Sequence, residues 1–150
     1  MIVVADSSPL NYLVLIDEIP LLPALFGQVL VPEAVFRELQ SLGTPVKVAA
    51  WISGNPDWLA VRKPAALHEE AGLEKFGAGE REAIALSLEN DPDVTLLIDE
   101  EKGRKEANRR QIRAIGTLGI LDLAAARGFI DLPNVIERLV QTNFHLKPNL

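Results

Sequence analysis

Residues 2–10 read IVVADSSPL, a continuous apolar run from Ile2 to Ala5 that stops on an aspartate, then two serines and a proline. Four apolar residues without alternation read as a short strand buried on both faces, the pattern of a parallel sheet. Ser7 or Ser8 can cap a following helix, with Pro9 in its first turn. That leaves Asp6 unclaimed by the helix, at the end of a strand.

The same strand-then-helix unit recurs downstream. Val29–Val31 is a second short strand, and Pro32 opens a helix with Val35, Phe36 and Leu39 on one face. PVKVAAWIS (45–53) predicts an amphipathic helix ending near Gly54, and WLAVRK (58–63) a further strand. GAGEREAIALSLEN (77–90) predicts a helix with Ala83, Ile84, Leu86 and Leu88 inward, stopped by Asn90-Asp91-Pro92. VTLLIDE (94–100) is another apolar strand ending on an acid; KGRKEANRRQ (102–111) is a charged, exposed helix; IRAIG (112–116) is the last strand. TLGILDLAAARG (117–128) is a helix that Gly128 can close, and one more helix lies near Val135–Val140. Apolar strands alternating with helices specify an α/β fold, a three-layer α/β/α sandwich around a central parallel sheet, Rossmann-like in plan.

The totals agree with this plan. A chain of 150 residues fits one domain, which at that size buries about 70% of its unfolded surface. We take 1–150 as a single domain, with a core of about 2–130 and a helical tail of about 131–150. Hydrophobic residues make up 48% and charged residues 24%, a globular composition. There is no cysteine, which excludes thiol chemistry and thiolate metal sites. No signal-peptide pattern or apolar run of about 20 residues is present, so a cytoplasmic protein without a membrane partner is expected. The net charge of −6 argues, as a sum, against a chain wrapped in nucleic acid.

In a parallel sheet the carboxyl ends of the strands share one edge, and ligands bind in the crevice there. Asp6 and Asp99 each end a buried strand, so both are expected at that edge. Glu38, on the second helix, and Glu80, opening the GEREAIAL helix after a glycine that lets the chain turn, can join them. Glu82 lies well around the helix from Glu80, while Glu100 and Glu101 read as surface charge or helix-dipole partners close to the same site. Carboxylates in contact do not all ionise near neutral pH unless a cation joins them. Oxygen-only donors suit Mg²⁺ or Mn²⁺, and such an ion serves metal-assisted phosphodiester hydrolysis.

These residues carry a resemblance. VVADSSPL (3–10), VLVPEAVFREL (29–39), GAGEREAIALSLE (77–89), LLIDEEKGRKEANRR (96–110) and AIGTLGIL (114–121) resemble, in order, spacing and wording, the prokaryotic PIN-domain proteins. The resemblance implies a PIN-like fold and a metal-dependent endoribonuclease site built on Asp6, Glu38, Glu80 and Asp99, as catalytic and metal-holding residues around one tightly held Mg²⁺ or Mn²⁺. Many relatives are toxins of toxin–antitoxin pairs that cleave RNA, so RNA is the implied substrate and a cognate antitoxin the implied partner. Two departures from the better-known toxins stand out: a glutamate in the GE pair rather than an aspartate, and no further acid in IGTLGIL. Ser7 and Thr117 are adjacent candidates. The competing reading within the same fold is a catalytically weak RNA-binding or protein-interaction module.

A nuclease needs cations beside its carboxylates. Between Lys102 and Arg113 the chain has six basic residues, Lys102, Arg104, Lys105, Arg109, Arg110 and Arg113, against one acid, Glu106. Lys and Arg of this kind bind phosphates without reading sequence, and Arg104 is the leading single candidate. Other chemistries lack their parts. His68 and His145 sit apart from any acidic motif, His145 being read as tail packing or surface, and neither a phosphate-cradling glycine loop nor a nucleophile elbow is present. A phosphoacceptor role for Asp6 lacks the second acid two residues on, where Ser8 stands. Trp51 and Trp58 read as core or interface residues. Val135, Leu139 and Phe144 pack on the domain or against a second subunit, and a homodimer is the expected assembly.

Overall fold

Ile2–Ala5 is the central strand of the sheet in the computed structural model, which describes residues 1–65 and 72–145. His68 and the end of the predicted tail, 146–150, lie outside the described residues. Five strands, β1 (Ile2–Ala5), β2 (Val29–Pro32), β3 (Leu59–Arg62), β4 (Val94–Leu97) and β5 (Arg113–Ile115), are ordered β3-β2-β1-β4-β5. All four pairings are parallel, with Val4 opposite Leu30 on one side and Leu96 on the other. The described helices are α1 (Ser7–Leu15), α2 (Leu21–Phe26), α3 (Glu33–Glu38), α4 (Val46–Ser53), α5 (Ala78–Glu89), α6 (Glu101–Arg109), α7 (Thr117–Ala126) and α8 (Leu132–Val140).

Strand side chains alternate between the two faces, and each face has its own core. Val3, Ala5 and Leu97 join Leu10, Leu13, Ile52, Ile120 and Leu121 on one side. Val4, Leu96 and Ile98 join Ala83 and Ile84 of α5, Ala107 of α6 and Ile112, just before β5, on the other. This is the three-layer arrangement that the unbroken apolar strands predict.

Three local expectations change. Pro32 is the last residue of β2 and the cap position of α3, not its first helical residue. Neither Ser7 nor Ser8 caps α1; they are its first two residues, and Asp6 occupies the cap position in extended conformation without a side-chain capping bond. The segment Leu21–Phe26 is a short helix that the sequence reading leaves unassigned, because two prolines sit in its PLLP start. Both fall at or within the first turn, where the missing N–H has no helical partner to lose.

In the tail, Val135 and Leu139 are buried in the main core and Phe144 packs at its rim, so these residues pack on their own domain. Trp51 and Trp58 lie against the same core with ring centroids 6.0 Å apart.

Candidate active site

The chain order runs outward from β1 to β2 and β3, then returns to lay β4 and β5 on the other side. The crevice at this switch lies between the ends of β1 and β4, where open α/β sheets bind ligands. Asp6 directly follows β1, and its N–H continues the ladder to the Leu97 carbonyl at 2.9 Å. Ile98 continues β4 against β5, donating to the Ile115 carbonyl at 2.9 Å, so Asp99 leaves the sheet at the same edge. A cleft of about 390 Å³ there is lined by Asp6, Glu38, Glu80, Asp99 and Glu100, and by Ser7, Ser8 and Tyr12. Gly77, Gly79, Phe144 and His145 complete its wall. The four acids expected from sequence therefore line one cleft.

Each acid is held by a different device. Asp99 accepts the Ser8 hydroxyl at 2.8 Å, the Thr117 hydroxyl at 2.7 Å and the Thr117 backbone N–H at 2.6 Å. Thr117, in a segment without a further acid, thus fixes an acid at the site. Arg104 turns inward from α6 and donates to the carbonyls of Ile98 and Asp99. Gly116 lies so close that an added Cβ would meet Asp99 Oδ1 at 2.7 Å.

Glu38 is set by both ends of its short helix. The buried Glu82 side chain accepts the Ala34 N–H of α3 at 2.9 Å, and the hydroxyls of Ser41 and Thr44 donate to the Glu38 carbonyl at 2.8 and 2.9 Å. The Glu38 carboxylate then lies directly over Gly79, where a Cβ would overlap Oε1 and sit 2.9 Å from Cδ. The glycine before Glu80 is therefore not a turn device. It is the second residue of α5 and leaves room for the neighbouring carboxylate.

Asp6 and Glu80 are the strained members. Asp6 is 4% exposed and its Oδ1 has no hydrogen-bond partner. Burial pushes its pKa to about 7, against the Ser7 N–H that favours the charged form, and the charges of Glu38, Asp99 and Glu100 push the same way as burial. Glu80 is also pushed up to about 7, by desolvation, a hydrogen bond to the Glu100 carboxyl and the charges of Asp6, Glu100 and Glu38. Its Oε2 is likewise buried without a partner. A hydrogen bond between two carboxyls requires a proton in it, so near neutral pH protons occupy the cleft in the role a cation would fill.

Glu100, read from sequence as surface charge or a helix-dipole partner close to the site, lines the cleft itself. It caps α6, accepting the Lys102 N–H at 3.0 Å, and also faces Glu80 across the cleft. His145 and Phe144 are the other additions; nothing local in NFHLKP indicates their return to the first helix. The basic run is only partly turned toward a ligand. Arg109 and Arg110 bind the buried Glu106, whose carboxyl burial alone would raise but these two guanidiniums hold below its ordinary value. Lys105 pairs with Glu101 at 3.4 Å. Lys102, Lys105 and Arg109, with Lys75, Phe76 and Glu106, line a separate depression of about 430 Å³.

The donor set tests well against a divalent cation. It contains only oxygen donors, two of them buried and unpartnered, in a cleft with repelling charge. Among the described residues, no group of three or more histidine, cysteine, aspartate or glutamate side chains is arranged to hold a metal ion. Mg²⁺ typically takes one or two carboxylates and keeps several waters, so a full protein cage is not what such an ion requires.

No helix among the described residues is long and apolar enough to cross a membrane. A family model described as PIN domain matches residues 2–150, and the chain belongs to the PIN-domain family. Comparison with curated proteins and with solved structures gave no match.

Proposed function

From its place in the PIN-domain family, a nuclease-type fold, we propose that this chain is a metal-dependent endoribonuclease, acting as the toxin of a toxin–antitoxin pair. The observation that carries the reading is the pair of buried, unpartnered oxygens, Asp6 Oδ1 and Glu80 Oε2, in one cleft with Glu38, Asp99 and Glu100. Unsatisfied carboxylate oxygens are costly to bury, and a cation removes that cost. Asp6, Glu80, Glu38 and Asp99 would hold one Mg²⁺ or Mn²⁺. When bound, the ion supplies Lewis acidity toward a phosphodiester oxygen and lowers the pKa of an attacking water.

The chain's own residues do the rest. Ser8, Thr117 and the Arg104-anchored backbone fix Asp99 in one orientation, so no reorganisation is needed when substrate arrives. Gly79 and the Glu82-capped α3 fix Glu38. The Glu80–Glu100 pair holds a proton that leaves on cation binding. Lys102, Lys105 and Arg109 contact flanking phosphates, while Arg104 serves Asp99 from behind.

The test is cleavage of labelled single-stranded RNA with Mn²⁺ or Mg²⁺, beside Asp6→Asn and an EDTA control. Metal-dependent cleavage that the variant lacks is expected. RNA binding without cleavage in both metals overturns the reading in favour of a non-catalytic module. For the toxin role, expression of the wild type but not of Asp6→Asn should arrest growth of a bacterial host; equal growth would exclude it.

A further inference from the structure

Two aromatic rings line the same cleft as the carboxylates. Tyr12, on the first helix, and Phe144, beyond the last, both line it, with ring centroids 4.9 Å apart and planes at 86°. Residues more than 130 positions apart are brought together by a constructed turn. The Tyr12 hydroxyl donates to Asn143 Oδ1 at 2.9 Å. The Thr142 hydroxyl donates to the Leu139 carbonyl at 2.6 Å and accepts the Phe144 N–H at 3.1 Å, and Leu139 is fully buried in the core. The turn therefore rides on a fixed helix end. Both rings stay only partly buried, at a cleft rather than inside the core.

We propose that Tyr12 and Phe144 form a nucleobase subsite, on which one base of the strand stacks beside the phosphate that the carboxylate cleft engages. The proposal rests on the nuclease reading for what the carboxylates hold, and adds where a base of the strand sits. At about 390 Å³ the cleft is near the small end of ligand sites, roughly 300–1,000 Å³. A paired base has its faces covered by its neighbours, whereas an unpaired base offers a π-face to a ring. Stacking of this kind tolerates every base, so the subsite selects for single strandedness rather than for sequence.

Binding is measured with a short single-stranded RNA carrying 2-aminopurine, its abasic counterpart, and a duplex, in Ca²⁺ with the oligonucleotide verified intact on a gel. The proteins are wild type, Phe144→Leu, which keeps apolar bulk without a π-face, and Phe144→Trp. Wild type should prefer the intact base over the abasic strand by about five- to a hundredfold, with 2-aminopurine fluorescence quenched. Phe144→Leu should lose preference and quench, Phe144→Trp should keep both, and the abasic strand should bind wild type and Phe144→Leu alike. Equal wild-type affinity for intact and abasic strands, preference retained in Phe144→Leu, tighter binding of the duplex, or no binding at all overturns the proposal. Cleavage is scored separately in Mn²⁺. Base preference without cleavage removes the nuclease reading and leaves the subsite, and cleavage without base preference does the reverse.

Discussion

Replacing Asp6 by asparagine should make the metal-free protein more stable, by an amount that grows as pH rises from about 4 to about 7. Asp6 titrates at about 7 in the fold against an ordinary 3.8. Its raised value means that the folded state holds the proton more tightly than the unfolded chain does. That contribution to stability is complete below pH 3.8 and is lost as pH rises through 7. At about 1.4 kcal/mol per factor of ten, the charged carboxylate destabilises the fold by roughly 4 kcal/mol at pH 8. Asparagine has nearly the shape of the protonated acid and cannot ionise. Asp6→Asn should match wild type near pH 3.5 and exceed it increasingly up to pH 8, there by on the order of 10 °C in melting temperature for a domain this size. Thermal melts in EDTA across that range, followed by circular dichroism, supply the measurement. Saturating Mn²⁺ should then raise the wild-type melting temperature and leave the variant where it was. A variant less stable than wild type at pH 8 in EDTA, or a difference independent of pH, refutes the reasoning.

Two further substitutions separate positioning from packing. Gly79→Ala adds a Cβ that overlaps the Glu38 carboxylate; since only the end of a flexible side chain must move, and alanine favours a helix by about 1 kcal/mol over glycine, stability should hold or rise while metal-dependent cleavage falls at least tenfold. Loss of fold, or full activity with Glu38 displaced, contradicts this. Glu82→Ala strands the Ala34 N–H at the start of α3 and should cost about 1–3 kcal/mol in urea unfolding, whereas Glu82→Gln, still an acceptor, should recover most of it; equal costs for the two variants would exclude the cap.

What the sequence discloses is what local pattern encodes. Apolar runs that stop on an acid place Asp6 and Asp99 at one sheet edge, because burial on both faces forces the parallel sheet and the sheet aligns its strand ends. Glu80 follows from the start of a strongly patterned helix. Glu38 is different: α3 is only six residues long, too short for periodicity to orient, and the family resemblance lifts it above an ordinary solvated helix glutamate. The remaining features are tertiary. Glu82 looks like an idle helix charge until α3 arrives with an unpaired N–H, Glu100 faces Glu80 only because α5 and α6 pack side by side, and Arg104 folds back onto carbonyls that no spacing rule identifies. Phe144 and His145 reach the cleft through a turn whose contacts bridge the two ends of the chain.

The most direct test of a cation in the acid cleft is a calorimetric titration of the metal-free protein with Mn²⁺, run in two buffers of different ionisation heat at pH 6.5 and again at pH 8. Asp6 and Glu80, both near 7, should give up protons as the ion enters. The account requires one ion per chain, more protons released at pH 6.5 than at pH 8, tighter binding at pH 8, and no such event in Asp6→Asn. Binding that Asp6→Asn retains with the same proton count, or no binding up to millimolar Mn²⁺, would contradict it.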